Sequence, residues 1–258
     1  MTALAMGIGL VIGALVGLLG GGGSILAVPA LVYLAGQDLQ QAVATSLLVV
    51  GITAVVALAP RLRSRQISWR IGLLFGSAGA ATAFAGAAVN RVLPDELTLA
   101  LFAVLMVGAG VRMLQEKPAT GTACTVDGGR VNWRRCLPRT LAGGLVVGFL
   151  TGLLGVGGGF LIIPVLVLAL GLPMPTAIGT SLVVVAINSA AGFAAHAGEV
   201  ALDVPVTVAF TAAAVAAALV AGRLGAGIDT DRLRRWFASL VLVVAAVIAA
   251  QVLVDLLG

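Results

Sequence analysis

Two clusters of glycine are the part of this sequence whose residue types and spacing could bind a ligand. The first reads Gly17-Leu-Leu-Gly-Gly-Gly-Gly-Ser24 and the second reads Gly152-Leu-Leu-Gly-Val-Gly-Gly-Gly159. Glycine destabilises the interior of a helix by about 1 kcal/mol per residue relative to alanine. We therefore expect each helix to break at its glycine cluster. A helix that restarts after the break presents free N–H groups at its positive end. Such a break can bind an anion without a cationic side chain.

Hydroxyl and amide side chains could donate further hydrogen bonds to this anion. The residues that we expect to bind it are Gly22, Gly23, Ser24, Thr45, Ser46, Gly157, Gly158, Gly159, Thr180, Ser181 and Asn188. Hydroxyl groups in a membrane also bond to helix carbonyls, so both roles stay open for the two Thr-Ser pairs. Pro29 and Pro164 follow the clusters, where they could kink the second short helix, cap its broken end or contact the substrate.

The composition predicts that these clusters lie in a membrane. Of the 258 residues, 60% are hydrophobic and 10% are charged, whereas a soluble domain averages about 25% charged residues. Charge-free stretches of about 20 residues match the thickness of a bilayer. The cations lie in a few loops, as the positive-inside bias predicts, so we attribute the net charge of +5 to topology and not to nucleic acid. The N-terminus lacks the basic region of a signal peptide, and we expect the first apolar segment to be retained.

The chain is a tandem duplication with a constant offset of 135 residues (152 − 17). At this offset Pro29 aligns with Pro164, and Thr45-Ser46 aligns with Thr180-Ser181. We divide the chain into a first membrane repeat, a cytoplasmic linker and a second membrane repeat, at residues 1–115, 116–138 and 139–258.

The charges of the loops predict that the two repeats are inserted in opposite orientations. The loop from Arg61 to Arg70 is basic, whereas the equivalent loop from His196 to Asp203 is acidic. Because Lys and Arg mark cytoplasmic loops, these loops lie on opposite faces, which defines an inverted-topology repeat. The linker is also basic, and we interpret its Cys124 and Cys136 as free thiols in a reducing cytosol.

If the equivalent loops lie on opposite faces, each glycine-broken stretch must return to the side of the membrane from which it started. We therefore expect an all-α polytopic membrane protein in which each repeat has a re-entrant hairpin of two short helices (residues 4–36 and 140–171) followed by three transmembrane helices. Both termini then lie outside, and two full crossings per hairpin would give a ten-span alternative. The expected transmembrane spans are residues 41–60, 71–90, 97–114, 176–195, 204–222 and 236–256. Trp69, Trp133 and Trp236 each adjoin an arginine and are expected at the cytoplasmic interface.

Three features together resemble the sulfite exporter TauE/SafE family, a group of membrane permeases for sulfur-containing anions. They are the duplicated glycine motif with its downstream proline, the Ala-x-x-Thr-Ser element at Ala42–Ser46 and Ala177–Ser181, and the segment Gln66-Ile-Ser-Trp69. The resemblance covers nearly the whole chain. It implies transport of sulfite, an organosulfonate or a related oxyanion across the cytoplasmic membrane, either outward or coupled to an ion gradient, with no cofactor and no metal. Because Ser24 faces Gly159 across the repeat, we expect the two hairpins to contribute unequally to one site.

Other functions remain open from the residues alone. A passive anion channel could use the same site, and a cation transporter could use the Thr, Ser and Asn oxygens, although the spans lack the carboxylates and histidines that divalent ions usually need. Ser24 and His196 resemble the elements of a rhomboid-like serine protease, but the residue equivalent to Ser24 is a glycine, so we expect no enzyme. His196, Glu199 and Asp203 are candidates for proton coupling because histidine titrates near physiological pH. The expected partners are a small anion and the lipid bilayer, with a homodimer left open.

Overall fold

The computed structural model consists of helices over nearly all of the residues that it describes. It describes the whole chain except residues 1, 22–26, 28–29, 32–35, 37–38, 64–65, 91, 93–94, 116–124, 127–129, 132, 155–158, 197–202, 226–228 and 258. The helices are α1 (Thr2–Leu19), α2 (Leu39–Arg63), α3 (Trp69–Asn90), α4 (Asp95–Gln115), α5 (Trp133–Leu154), α6 (Gly159–Pro164), α7 (Met174–His196), α8 (Val204–Gly225) and α9 (Thr230–Leu257). A π-helical segment, Val165–Ala169, continues α6. In the linker, Thr125–Val126 (β1) and Arg130–Val131 (β2) form a short antiparallel pair.

The expected transmembrane spans are confirmed as helices. Each of the six lies within one helix, namely α2, α3, α4, α7, α8 or α9. Helices span a bilayer because all their backbone polar groups bond within the segment. Among the described residues, four stretches are long and apolar enough to cross a membrane: Gln41–Leu62, Cys136–Leu153, Met174–Ala194 and Val204–Gly225. The protein is therefore a multi-pass helical membrane protein.

The helix boundaries follow the offset of 135 residues. Shifting α3 (Trp69–Asn90) by 135 gives the bounds of α8, and the first residues of α2 and α4 shift onto those of α7 and α9. The contacts between helices follow the same rule, since α1 packs against α8 and α5 packs against α3. Each of these two contacts joins one repeat to the other.

A stripe of glycines allows the helices of each pair to approach closely. A Cβ on Gly9 would lie 2.7 Å from the carbonyl oxygen of Phe210, and a Cβ on Gly144 would lie 2.6 Å from that of Phe75. Further close pairs are Gly13 with Ala214, Gly17 with Ala218, Gly148 with Gly79, Gly152 with Ala83 and Gly86 with Phe149. Small residues at such spacing are typical of membrane helix interfaces. Because the residue numbers of the two partners increase together from pair to pair, α1 runs parallel to α8, and α5 runs parallel to α3.

The helix before each glycine cluster, α1 or α5, is longer than the short first arm that the sequence predicts. The sequence predicts two short helices, but α1 has 18 residues and α5 has 22. The glycine stripe explains this difference, because burial against α8 and α3 along the whole length offsets the low helix propensity of glycine. The described part of the second arm that follows α5 is short, with α6 and the π-helical segment covering 6 and 5 residues.

Helices α2 and α7 cross in antiparallel directions at the centre of the protein. A Cβ on Gly51 would lie 3.1 Å from Cβ of Ser189, and a Cβ on Gly192 would lie 3.2 Å from Cδ1 of Leu47. Residue numbers that increase along α2 therefore pair with residue numbers that decrease along α7. The segment after α2 also contacts the beginning of α7, where Gly179 leaves room for the carbonyl of Gln66.

The interpretation of Cys136 as a free thiol is wrong. Cys136 is buried and disulfide-bonded, and the only other cysteine of the chain, Cys124, lies outside the described residues. Two cysteines form a disulfide only when the fold brings their Cα atoms within about 7 Å. Cysteine count and spacing do not contain that distance.

Candidate functional site

Helix α1 ends at Leu19, and Gly20 and Gly21 of the first glycine cluster follow it directly. Gly20 has φ of +68°, a left-handed conformation that glycine adopts without steric cost. A Cβ at this position would lie 2.5 Å from Oγ of Ser181. The adjacent N–H group of Gly21 donates to the same Ser181 oxygen at 3.4 Å. The break that the sequence predicts therefore lies against α7.

The two glycine clusters meet at this point. A Cβ on Gly21 would lie 3.0 Å from Cα and 3.2 Å from the carbonyl oxygen of Gly159, and it would overlap with Cγ2 of Val185. Gly21 and Gly159 are both buried. The contact joins the end of α1 in the first repeat to the start of α6 in the second repeat.

The Thr-Ser pair of the second repeat belongs to this site. Thr180 and Ser181 are each 0% exposed. The Ser181 hydroxyl donates to the Ile178 carbonyl at 2.8 Å and accepts from Gly21, so it serves both the helix and the glycine break. The Thr180 hydroxyl accepts from the backbone N–H of Ser68 at 3.1 Å, which fixes the segment after α2 onto α7.

The Thr-Ser pair of the first repeat has different surroundings. Ser46 donates to the Val43 carbonyl at 2.9 Å, which is the bond of Ser181 repeated at the offset of 135. Thr45 is 0% exposed, and its hydroxyl has no hydrogen-bond partner among the described residues. A buried donor without a partner carries a desolvation cost, which a bound ligand could offset.

Asn188 lies two turns beyond Ser181 on α7. Its Nδ2 would be 3.9 Å from a Cβ on Gly79 of α3, and its buried Oδ1 has no partner within the described part of the chain. The structure therefore places Asn188 beside α3.

The other expected site residues lie in several places. Pro164 is buried and ends α6 immediately before the π-helical segment, which fits a kink. Asp203 is exposed, and its Oδ1 accepts from the N–H of Val206 at 3.2 Å, at the start of α8. His196 is the last residue of α7. The expected residues outside the described part of the chain are Gly22, Gly23, Ser24, Pro29, Gly157, Gly158 and Glu199.

Sequence reasoning missed one buried charge close to the site. Arg61 is only 4% exposed, and its Nη2 donates to the carbonyl of Gly17 in the last turn of α1 at 3.1 Å. The sequence treats Arg61 as a loop cation because it begins a basic segment. The signal that could have identified it is its place directly after an apolar span, in register with His196 at the offset of 135.

The tryptophans lie near the starts of helices. Trp69 and Trp236 are exposed, and Trp133 is half-buried with the Arg70 guanidinium 5.7 Å from its ring centroid. No group of three His, Cys, Asp or Glu side chains suited to a metal ion occurs among the described residues.

The chain is similar to known membrane transporters. A family model described as "Sulfite exporter TauE/SafE" matches residues 5–248. The chain is 32% identical to a probable membrane transporter protein of Xylella fastidiosa strain 9a5c, over 92% of this chain and 86% of that protein. It is 26% identical to the probable membrane transporter protein YunE of Bacillus subtilis, over 96% of each. No solved structure matches the chain.

Proposed function

The chain belongs to the sulfite exporter TauE/SafE family of membrane transporters, and from this premise we propose that it moves a small sulfur-containing oxyanion across the cytoplasmic membrane. Sulfite and organosulfonates are the substrates that we propose. The observation that carries the proposal is the contact of Gly21 with Ser181 and Gly159. It brings the Gly21 N–H of the first repeat and the start of α6 in the second repeat to one buried place.

The anion would bind through neutral donors at this contact. The bond from the Gly21 N–H to Ser181 is long, at 3.4 Å, and a substrate oxygen could replace the hydroxyl as its acceptor. The expected ligands Gly22, Gly23, Ser24, Gly157, Gly158 and Gly159 extend the same two segments. Thr45, Ser46 and Thr180 would complete the ligand set from α2 and α7. Binding by neutral donors suits a transporter, because the substrate must also be released.

The proposed mechanism is alternating access between two inverted repeats. Two contacts support it: α2 runs antiparallel to its equivalent α7, and α1 packs on α8 as α5 packs on α3. Inverted repeats place a substrate where their broken helices meet, and rocking of one unit against the other opens the site to each side in turn. Re-entrant hairpins and external termini are part of this proposal.

Proton coupling would use the segment that follows α7. His196 ends this helix, Glu199 follows it, and Asp203 precedes α8. An imposed pH gradient should then drive sulfite uptake, and replacing His196 with glutamine should abolish the response to the gradient without abolishing exchange.

Substitution of Gly21 by valine tests the site. The added side chain would meet Gly159 and Val185, so we expect uptake of radiolabelled sulfite into proteoliposomes to fall at least tenfold. Gly108→Val is the matched control, because a Cβ on Gly108 has nothing within 4 Å. Both variants are first checked for a monodisperse profile in detergent.

The results separate the alternatives. Unchanged uptake by a folded Gly21→Val protein would rule out the site. Wild-type counterflow, in which internal unlabelled sulfite accelerates uptake of the label, would indicate a carrier and not a passive channel. Uptake of cations without uptake of sulfite would contradict the proposed substrate class.

A further inference from the structure

Arg61 is a charged residue buried at the end of an apolar span. The stretch from Gln41 to Leu62 is apolar enough to cross a membrane, and Arg61 within it is 4% exposed. A charge within a transmembrane segment is costly, and such residues usually face the protein interior at a functional site. The sequence suggests that Arg61 lies in an exposed loop, but the structure buries it.

Glycines make the space that Arg61 occupies. Its Nη2 donates to the Gly17 carbonyl at 3.1 Å. A Cβ on Gly222 of α8 would lie 3.5 Å from Cγ of Pro60 and 3.7 Å from the same Gly17 oxygen. The guanidinium contacts the last turn of α1 where α1, α2 and α8 meet.

The polarity of a broken helix explains why a cation is needed there. The C-terminal end of α1 carries about half a negative charge, and it points toward the break at Gly20 and Gly21. The Gly21 N–H, which would attract an anion, lies at the same place. An anion at the break would thus be attracted by this donor and repelled by the end of α1.

We propose that Arg61 offsets the negative end of α1 and thereby makes the glycine break selective for anions. This inference rests on the proposed function. Arg61 acts through the α1 terminus and does not contact the substrate, so it is a positioning residue. Gly17 and Gly20 are separated by about 4.5 Å of helix rise, which puts the guanidinium charge within roughly 10 Å of the Gly21 N–H. A unit charge at this distance, at an effective dielectric constant of about 20, changes anion affinity roughly tenfold.

The second repeat has a basic residue type at the same register. The position equivalent to Arg61 is His196, the last residue of α7, and Gly152 is equivalent to Gly17. A basic residue type thus lies at or near the end of both α2 and α7.

Three variants separate the charge of Arg61 from its hydrogen bond. Arg61→Lys keeps the charge, Arg61→Gln keeps an N–H donor without the charge, and Arg139→Gln removes a charge from an exposed position of α5. The measurements are KM and kcat for sulfite in proteoliposomes. We expect KM to rise about tenfold in Arg61→Gln, with kcat within about threefold, and to stay within about threefold of wild type in Arg61→Lys and Arg139→Gln.

The opposite results would overturn the proposal. A wild-type KM in Arg61→Gln would show that the charge does not act on the anion. Equal loss of folded protein in the Lys and Gln variants would assign Arg61 to packing alone. Absence of sulfite uptake by the wild-type protein would overturn the proposed function itself, whereas intact uptake with an unchanged KM would overturn only the role of Arg61.

Discussion

Thr45 and Thr180 occupy equivalent positions of α2 and α7, yet their hydroxyl groups have different surroundings. Thr180 accepts from Ser68, whereas the buried Thr45 hydroxyl has no partner among the residues that the structure describes. A polar group kept without a partner in a core is a candidate ligand for a substrate. This difference predicts that Thr45 acts mainly in binding, whereas Thr180 also has a structural role.

Replacing each threonine with valine tests this distinction. Thr180→Val leaves the Ser68 N–H without its acceptor, so we expect a loss of about 1–3 kcal/mol of stability and a lower Tm in detergent. Thr45→Val exchanges an unpartnered hydroxyl for a methyl group, so we expect an unchanged or higher Tm together with a KM for sulfite raised about fivefold. A Thr45→Val protein with wild-type uptake would exclude this hydroxyl from the site.

At the scale of elements, glycines allow α1 and α5 to contact the backbones of α8 and α3. Gly148 approaches Gly79 so closely that a Cβ on Gly148 would overlap with the backbone of α3. The equivalent contact joins Gly13 of α1 to Ala214 of α8. Helices α1 and α5 thus each make direct backbone contact with a helix of the other repeat.

A bulky residue at Gly148 should separate α5 from α3. Overpacking of this kind costs about 1–3 kcal/mol or more, so we expect Gly148→Val to lower the Tm and the yield of monodisperse protein. Gly108→Val on α4, where the space is open, should leave both unchanged. Equal Tm values for the two variants would contradict the packing of α5 on α3.

At the scale of the whole molecule, the two repeats depend on one another. In each repeat, the helix before the glycine cluster packs against a helix of the other repeat: α1 packs against α8, and α5 packs against α3. Neither repeat therefore buries its glycine stripe without the other.

The orientation of the repeats can be read from single cysteines. In a protein without Cys124 and Cys136, we expect a cysteine at Arg63 to be labelled by a membrane-impermeant maleimide only after the cytoplasmic side is opened. A cysteine at Glu199 should be labelled in intact cells, because the loop charges place it outside. Labelling of both from the same side would refute the inverted repeat.

The disulfide of Cys136 also relates to the side of the membrane on which the linker lies. Disulfides persist in oxidising compartments, whereas the linker arginines indicate the cytoplasm. A cysteine placed at Arg139 in the same background reports the side of the linker directly, and labelling in intact cells would contradict the topology that the arginines predict.

The sequence by itself determined the membrane class, the duplication and the positions of the six helices in which it predicts transmembrane spans. These follow from local composition and from matches at one offset, since a bilayer requires long apolar helices whatever they pack against. It also located the glycine break, because several glycines in succession disfavour a helix.

Only the tertiary structure decided which parts meet. It brought Gly21 to Gly159 and Ser181, buried Arg61 against Gly17, left Thr45 without a described partner and moved Asn188 toward α3. It also lengthened the first arms and placed Cys136 in a disulfide. These outcomes depend on contacts between residues far apart in the chain, and the charge or propensity of one residue does not specify its distant neighbour.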